Sequence, residues 1–304
     1  MNPDSPINGV YVAAVTPQRK GGEADVAAIL ELVDFLAKAG VNGIALLGST
    51  GEFLHLAFED RVRLVQLAAK RSRVPVLVGV GHSTLEGAIE LGRDAASAGA
   101  AGLLLMPPYF FRYGQEDIYE FYVQFAAAVG SSTRIFLYNI PFFTNEIAIE
   151  TATALLSTGQ FAGIKDSSGQ YGYFERLLAV SRDKPFTLLV GNDRIFTRAR
   201  QAGAHGIVSG LACVVPELLV GLDRAIQRNL VVDIGRLDAR LQEFVAWHDR
   251  FPTPVAIKTA AVERGLKVGP LGAPLAAGGQ KRLEEFREWF KAWLPEVRKE
   301  AAIV

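Results

Sequence analysis

The feature that most constrains the fold is an imperfect internal repeat, in which a small residue, a glycine and a short spacer precede an apolar run. It occurs four times, at residues 39–47, 98–106, 158–165 and 202–209. In each copy the first glycine can end a helix in a left-handed conformation, and the apolar run is typical of a buried strand. A helix-to-strand unit repeated along the chain indicates a fold assembled from one supersecondary module.

Four more apolar runs complete a set of eight predicted strands. They lie at residues 10–15, 76–80, 135–138 and 187–190. An amphipathic helix is predicted after each strand, at residues 25–39, 57–70, 84–98, 115–129, 147–157, 171–181, 193–202 and 215–228. Strands that are apolar on both faces and alternate with helices indicate a parallel sheet covered by helices. Eight units favour closure over an open doubly wound sheet, so the predicted fold class is an α/β (β/α)8 TIM barrel.

The last quarter of the chain has a different pattern. Beyond residue 229 only helices are predicted, at residues 230–248, 254–265 and 279–293. We interpret residues 1–229 as the barrel and residues 230–304 as a C-terminal helical extension packed on it, within a single domain. The length of 304 residues agrees with this interpretation, because a barrel of this kind typically takes ~250 residues.

The composition argues against several classes of partner. Basic and acidic residues both total 32, so the net charge gives no reason to expect nucleic acid or an anionic membrane as partner. No apolar run approaches the ~20 residues that span a bilayer, and residues 1–6 show no signal-peptide pattern. Cys213 is the only cysteine, which excludes an intrachain disulfide and fits a reducing compartment. We therefore expect a cytoplasmic protein.

Lys165 is the first candidate for a catalytic residue. In barrels of this type the active site lies at the C-terminal ends of the strands, and Lys165 closes the apolar run 161–164. A lysine that the barrel wall partly desolvates exposes more neutral amine, which is the form that attacks a carbonyl. The alternative is a lysine that extends to solvent from the strand end or pairs with Asp166.

Two further strand ends supply polar groups. Tyr138 ends the adjacent strand, where its phenol could transfer protons, although it could also be a packing aromatic. Residues 48–52, GSTGE, follow the second strand and combine the hydroxyls of Ser49 and Thr50 with flanking glycines. Such a loop can turn backbone N–H groups towards a small carboxylate, or it can be an ordinary glycine-rich turn. Together, the residues at these three strand ends are predicted to form one site.

The sequence lacks the motifs that would indicate a zinc site or a nucleotide-binding site. The four histidines have no metal-ligand spacing, which argues against a zinc-dependent aldolase. No G-x-G-x-x-G follows the first strand and no Walker loop is present, so neither a dinucleotide nor ATP is expected.

Three motifs carry a family resemblance. Residues 48–52 (GSTGE), 138–141 (YNIP) and 165–169 (KDSSG) resemble the signatures of the dihydrodipicolinate synthase/N-acetylneuraminate lyase superfamily, and the similarity extends through residues 253–258 and 269–275. The resemblance implies a class I mechanism that uses neither a metal nor an organic cofactor. In this mechanism Lys165 forms a Schiff base with pyruvate, and Tyr138 donates and accepts protons. Ser49 and Thr50 would hold the carboxylate of the 2-oxo acid, and one of their hydroxyls would relay protons to Tyr138.

The same resemblance extends the site and implies an assembly. It implies that the enzyme is a homotetramer, a dimer of dimers, acting on a 2-oxo acid and an aldehyde. The remaining expected substrate contacts are Tyr109, Ser167, Gly191, Asp193, Val208 and Ser209.

The sequence departs from the synthase pattern at two positions. Phe143 stands where the synthases carry an arginine for the distal carboxylate of the amino-aldehyde substrate. The pair Tyr109-Phe110 stands where they carry a second tyrosine for a relay across subunits, so Tyr109 supplies that relay or it is absent. Where the sialic-acid lyases have an Asp-Glu pair, this chain has Asp193-Arg194. Arg194 either binds a distal anion or is an exposed helix residue.

These departures rank the possible functions. The leading hypothesis is a pyruvate-dependent aldolase, a lyase acting on a 2-oxo-3-deoxy sugar acid. The enzyme alternatives are a dihydrodipicolinate synthase with altered substrate recognition and a deoxy-sugar-acid dehydratase that uses the same imine. From another class, the protein could be a catalytically silent barrel that binds a 2-oxo acid, but such a binder needs neither Lys165 nor Tyr138.

Overall fold

The computed structural model describes residues 6–304 and confirms the predicted barrel. The strands pair in parallel, each with its neighbours in chain order, and β8 pairs with β1 to close the sheet. All residues of every strand except Thr187 are buried, because helices cover the outer face and side chains fill the interior. The strands are β1 Gly9–Ala13, β2 Gly43–Leu46, β3 Val76–Gly79, β4 Gly102–Leu105, β5 Ile135–Asn139, β6 Gly163–Asp166, β7 Thr187–Val190 and β8 Gly206–Ser209.

Eight helices follow the strands, close to their predicted positions. Local capping explains some of the starts: the Asp25 carboxylate accepts a hydrogen bond from the N–H of Ala28 at 3.2 Å, and Thr84 caps α3 in the same way. The glycines that open the four sequence repeats all have positive φ, as the repeat predicted. The helices are α1 Val26–Lys38, α2 Phe58–Arg71, α3 Leu85–Ser97, α4 Gln115–Val129, α5 Ile149–Ser157, α6 Tyr171–Asp183, α7 Phe196–Ala202 and α8 Pro216–Gln227.

Three more helices form the C-terminal extension. They are α9 Val231–His248, α10 Val255–Glu263 and α11 Ala277–Ala301. An aromatic cluster joins α9 to α11, in which the rings of Phe244 and Phe286 stack with centroids 6.0 Å apart. Within residues 6–304, no helix combines the length and the apolar character needed to cross a membrane. Residues 1–5 lie outside the described residues. They belong to the N-terminal segment in which the sequence shows no signal-peptide pattern.

The prediction that the last helix ends at residue 293 is wrong. Helix α11 continues through Pro295 to Ala301. A proline inside a helix removes one backbone hydrogen bond and normally ends or kinks the helix. Here the turn beyond it buries Val297 and Ala301, so that tertiary packing offsets the lost hydrogen bond.

Candidate active site

A cavity of about 670 Å³ lies at the C-terminal ends of the barrel strands. The side chains of Lys165, Tyr138, Ser49 and Thr50 all line it, so the three strand ends singled out in the sequence meet in one place. Parallel strands in a closed barrel end at the same face, which is why residues more than a hundred positions apart in the chain converge here.

Lys165 projects into this cavity and its neighbour Asp166 does not. Successive side chains of a strand point to opposite faces, and the Asp166 carboxylate instead accepts hydrogen bonds from Asn139 Nδ2 and Ser168 Oγ, both at 2.8 Å. Burial raises the pKa of Asp166, and these hydrogen bonds oppose the rise. The alternative interpretation, in which Lys165 pairs with Asp166, is therefore not the arrangement in the structure.

Tyr138 and Lys165 form the centre of the site. The two residues are register partners on β5 and β6, and Lys165 Nζ lies 3.8 Å from the centroid of the Tyr138 ring. Both side chains are almost fully buried. The Tyr138 hydroxyl lies 3.4 Å from Ser49 Oγ, at the long end of hydrogen-bonding distance. The amine thus lies over the face of the Tyr138 ring, and the Ser49 hydroxyl lies near its phenolic oxygen, which brings an acid–base group close to both.

The loop that carries Ser49 and Thr50 is held in an unusual backbone conformation. Leu47 and Glu52, at its two ends, have φ values of 58° and 50°, in the left-handed region that residues other than glycine seldom adopt. Inside the loop, the N–H of Glu52 donates to the Ser49 carbonyl at 3.1 Å. A backbone conformation of this kind persists only where the surrounding structure holds it in place.

The ends of β7 and β8 form a polar wall. Asp193 lines the cavity, and Ser209, which is fully buried behind it, donates a hydrogen bond to its carboxylate. Burial raises the pKa of Asp193 to about 6, and the Ser209 hydrogen bond opposes the rise. Val208 and Gly191 also line the cavity, whereas Ser209 reaches it only through Asp193.

Ser167 and Gly191 shape the space around the lysine. Ser167 Oγ is buried at the cavity wall and has no hydrogen-bond partner within residues 6–304. A Cβ added at Gly191 would lie 2.0 Å from Ser167 Oγ and 2.8 Å from Lys165 Cε. The glycine therefore leaves the room in which the lysine side chain sits.

We expect Gly191→Ala to damage the site. The added methyl group overlaps Ser167 Oγ and Lys165 Cε, and forcing extra volume into a packed site typically costs about 1–3 kcal/mol. Chemical denaturation should show this loss, together with slower covalent labelling of Lys165. Gly172→Ala is the matched control, because a Cβ at Gly172 meets nothing within 4 Å. Labelling of the Gly191 variant at the wild-type rate would contradict this account of the packing.

Tyr109 is placed away from this cavity. Its ring packs edge-on against Phe53, with centroids 5.9 Å apart, and it is not among the residues that line the cavity of Lys165. Burial raises the pKa of Tyr109, and the positive charge of Arg61 opposes the rise. Phe143, in contrast, lines the cavity with an exposed ring.

The C-terminal extension supplies a wall that sequence reasoning missed. The end of α9 and the segment between α9 and α10 line the cavity, and there His248 Nε2 lies 3.3 Å from Thr253 Oγ1. Arg194 is the one guanidinium among the described residues that line the cavity, and it forms an ion pair with Asp249. The family resemblance extends over residues 253–258, but no motif there indicated a role in the site.

Comparison with known proteins gives the family. The chain matches the model of the dihydrodipicolinate synthetase family over residues 6–293. A 4-hydroxy-tetrahydrodipicolinate synthase of Methanothrix thermoacetophila is 31% identical over 283 residues, which cover 93% of this chain and 95% of the relative.

Two solved structures have the same fold. The 4-hydroxy-tetrahydrodipicolinate synthase from the thermoacidophilic methanotroph Methylacidiphilum fumariolicum SolV superposes with a TM-score of 0.89 at 28% identity, covering 97% of this chain and 99% of that one. YagE, a prophage protein of the dihydrodipicolinic acid synthase family from E. coli K12, was solved in complex with pyruvate. It gives a TM-score of 0.86 at 26% identity, with 97% and 99% coverage.

The fold and these matches define the class of the enzyme, which is a lyase of the class I aldolase type. The chain belongs to the dihydrodipicolinate synthetase family.

Proposed function

We propose that this enzyme joins pyruvate to Lys165 as a Schiff base and cleaves or forms the carbon–carbon bond of a 2-oxo-3-deoxy sugar acid. The observation that carries the choice of substrate is the wall of the cavity formed by Asp193, His248 and Thr253. These side chains offer hydrogen bonds that suit hydroxyl groups. The 2-oxo acid end would lie at Lys165 and the hydroxylated end at this wall.

The proposed chemistry begins at the lysine. The Lys165 amine adds to the substrate carbonyl at C2, and Tyr138 protonates the resulting hydroxyl, which leaves as water. Tyr138, which has given up its proton, then accepts the proton of the C4 hydroxyl. The C3–C4 bond breaks, its electron pair flows into the protonated imine, and the aldehyde departs. Protonation of the enamine at C3 and hydrolysis of the imine release pyruvate and regenerate the free amine.

Ser49 and Thr50 suit the carboxylate of the 2-oxo acid. Their hydroxyls line the cavity beside the lysine, and hydrogen bonds to a carboxylate are stronger than those between neutral groups. The 3.4 Å contact between Ser49 Oγ and the Tyr138 hydroxyl supports a role for Ser49 in passing protons to and from the tyrosine.

The charges at the distal wall favour hydroxyls over a second carboxylate. With a pKa raised to about 6, Asp193 is mostly ionised at neutral pH and can accept a hydrogen bond from a hydroxyl. The Arg194 guanidinium is paired with the Asp249 carboxylate, so a distal anion would have to compete with Asp249 for it. Phe143 offers an apolar ring where the synthases carry an arginine.

A second candidate function is that of a 4-hydroxy-tetrahydrodipicolinate synthase. The name of the Methanothrix relative favours it. Phe143 counts against it, because an arginine–carboxylate hydrogen bond typically contributes ~1.5–3 kcal/mol that this chain does not supply at that position. The deoxy-sugar-acid dehydratase would use the same imine and remains an alternative outcome of the experiment below.

We also propose that the enzyme acts as a homotetramer in the cytoplasm. Exposed aromatic side chains on the loop between β4 and α4, Phe110 and Phe111, support a subunit contact there. The buried free thiol of Cys213 is compatible with a reducing compartment.

Substrate assays should separate these functions. We expect pyruvate release from at least one 2-oxo-3-deoxy sugar acid with kcat/KM of ~10⁴ M⁻¹s⁻¹ or more, in the usual range of enzymes. Condensation of pyruvate with aspartate semialdehyde should be at least about tenfold less efficient, which corresponds to ~1.4 kcal/mol of lost transition-state binding. Loss of water from the sugar acid without pyruvate release would identify the dehydratase.

Phe143→Arg tests whether the phenylalanine accounts for poor turnover of aspartate semialdehyde. Restoring a guanidinium at this position should raise kcat/KM for aspartate semialdehyde, and Phe142→Arg on the neighbouring exposed ring should raise it less. Efficient wild-type turnover of the semialdehyde would favour the synthase and reverse our ranking.

A further inference from the structure

A buried ion pair joins the C-terminal extension to the active-site loop. The ammonium of Lys258, on α10, donates to Glu52 Oε2 at 2.7 Å and also to the carbonyl of Pro270. The Lys258 side chain is 1% exposed and that of Glu52 is 5% exposed. Among the ion pairs of residues 6–304, no other buries both partners so completely.

Stability alone is a poor explanation for such a pair. Removing two charges from water is costly, and replacing a buried ion pair with apolar side chains is often neutral or stabilising. A buried pair does, however, define a geometry sharply, because either charge left without its partner is strongly unfavourable. The Glu52–Lys258 pair therefore fixes the segments that carry its two partners relative to each other.

Glu52 is the last residue of the loop that carries Ser49 and Thr50. Its backbone N–H donates to the Ser49 carbonyl at 3.1 Å, and its φ of 50° is in the left-handed region. A residue in this strained conformation needs contacts elsewhere to hold it. The ion pair to Lys258 supplies such a contact at the end of the loop.

Helix α10 and the segment after it also lie close to the loop at other points. A Cβ at Gly210 would meet Thr50 Oγ1 at 2.9 Å and Ile257 Cδ1 at 3.0 Å, which places the residue before Lys258 beside Thr50. A Cβ at Gly272 would lie 2.9 Å from Glu52 Oε1, so the segment after α10 also packs closely on the glutamate.

We propose that the Glu52–Lys258 pair holds the loop so that Ser49 and Thr50 point at the substrate carboxylate, which makes Lys258 a positioning residue. This inference rests on the proposed function, in which those hydroxyls bind the carboxylate of pyruvate. It gives the C-terminal extension a role in the chemistry of the barrel, although Lys258 does not itself line the cavity.

The test measures pyruvate affinity through borohydride trapping on Lys165. For Lys258→Met, we expect the pyruvate concentration that gives half-maximal labelling to rise about tenfold or more, since a shift of about 1 Å in a positioning group can cost about 100-fold. The extent of labelling at saturating pyruvate should fall by a smaller factor than the half-saturating concentration rises. Wild-type half-saturation in a folded Lys258→Met protein would overturn the inference and leave the proposed function intact, whereas a wild-type protein that does not label at all would refute the proposed function.

Two further variants separate positioning from stability. Arg264, the residue after α10, forms another ion pair of the extension, with Glu217 at 2.8 Å. Arg264→Met should lower the melting temperature, while the half-saturating pyruvate concentration stays within about twofold of the wild-type value. Glu52→Gln/Lys258→Met removes both buried charges, so the melting temperature should recover relative to Lys258→Met, and half-saturation should stay raised. If half-saturation returned to the wild-type value with the melting temperature, the pair would be structural only and the inference would be wrong.

Discussion

Borohydride reduction in the presence of pyruvate is expected to add one lactyl-sized mass to the intact protein, and peptide mapping should place it on Lys165. The reason is the position of the amine, which is buried at the strand end, faces the cavity and contacts the Tyr138 ring. A desolvated amine beside a proton donor is the arrangement that imine formation requires. The exposed lysines of the helices lack both features.

The lysine variant should give the largest effect of any single substitution. We expect Lys165→Ala to abolish both labelling and turnover, because Lys165 is the one lysine among residues 6–304 that lines the cavity and can form the imine that stabilises the carbanion at C3. Circular dichroism should show an unchanged fold, since truncation at a cavity wall leaves the barrel core in place. Lys267→Ala, at an exposed lysine paired with Glu31, is the matched control and should label as the wild type does. A lactyl adduct on any other lysine would refute the central assignment.

Tyr138→Phe is expected to lower kcat by ~10²–10⁴-fold, the usual range for the loss of an acid–base group. The variant keeps the ring that packs beside Lys165 and removes only the hydroxyl that contacts Ser49. Imine trapping should slow as well, because loss of water from the carbinolamine also needs a proton donor. The pyruvate KM is less informative, because Ser49 and Thr50 can still bind the carboxylate.

The matched control for this variant is Tyr173→Phe. The Tyr173 hydroxyl is also buried and donates to the Ile147 carbonyl at 2.8 Å, but the residue does not line the cavity. Its loss should cost about 1–3 kcal/mol of unfolding free energy and leave kcat unchanged. A wild-type kcat in Tyr138→Phe would mean that another group moves the proton, and the role proposed for the tyrosine would be abandoned.

The sequence alone was sufficient to predict the barrel and the centre of the candidate site. The repeat predicts glycines with positive φ at the ends of helices, and this local backbone conformation depends mainly on residue type. The convergence of Lys165, Tyr138 and Ser49 follows from one rule, that parallel strands in a closed barrel end at the same face. Both inferences need only the order and type of the elements, which periodicity reveals.

Tertiary structure decided the features that depend on packing between distant segments. Helix α11 passes through Pro295 because the residues beyond it are buried, and no local propensity indicates that burial. Tyr109 follows a strand end and yet packs against Phe53, since a loop's direction is set by its neighbours and not by the strand before it.

The cavity wall at His248 and the ion pair between Glu52 and Lys258 also depend on packing between distant segments. The two partners of the pair are 206 positions apart, and nothing in either segment's pattern indicates the other. Periodicity reports which face of an element is apolar, whereas contacts between an extension and a loop depend on how completed elements pack together. The sequence therefore predicted where the candidate lysine lies, and the tertiary structure determined which side chains surround it.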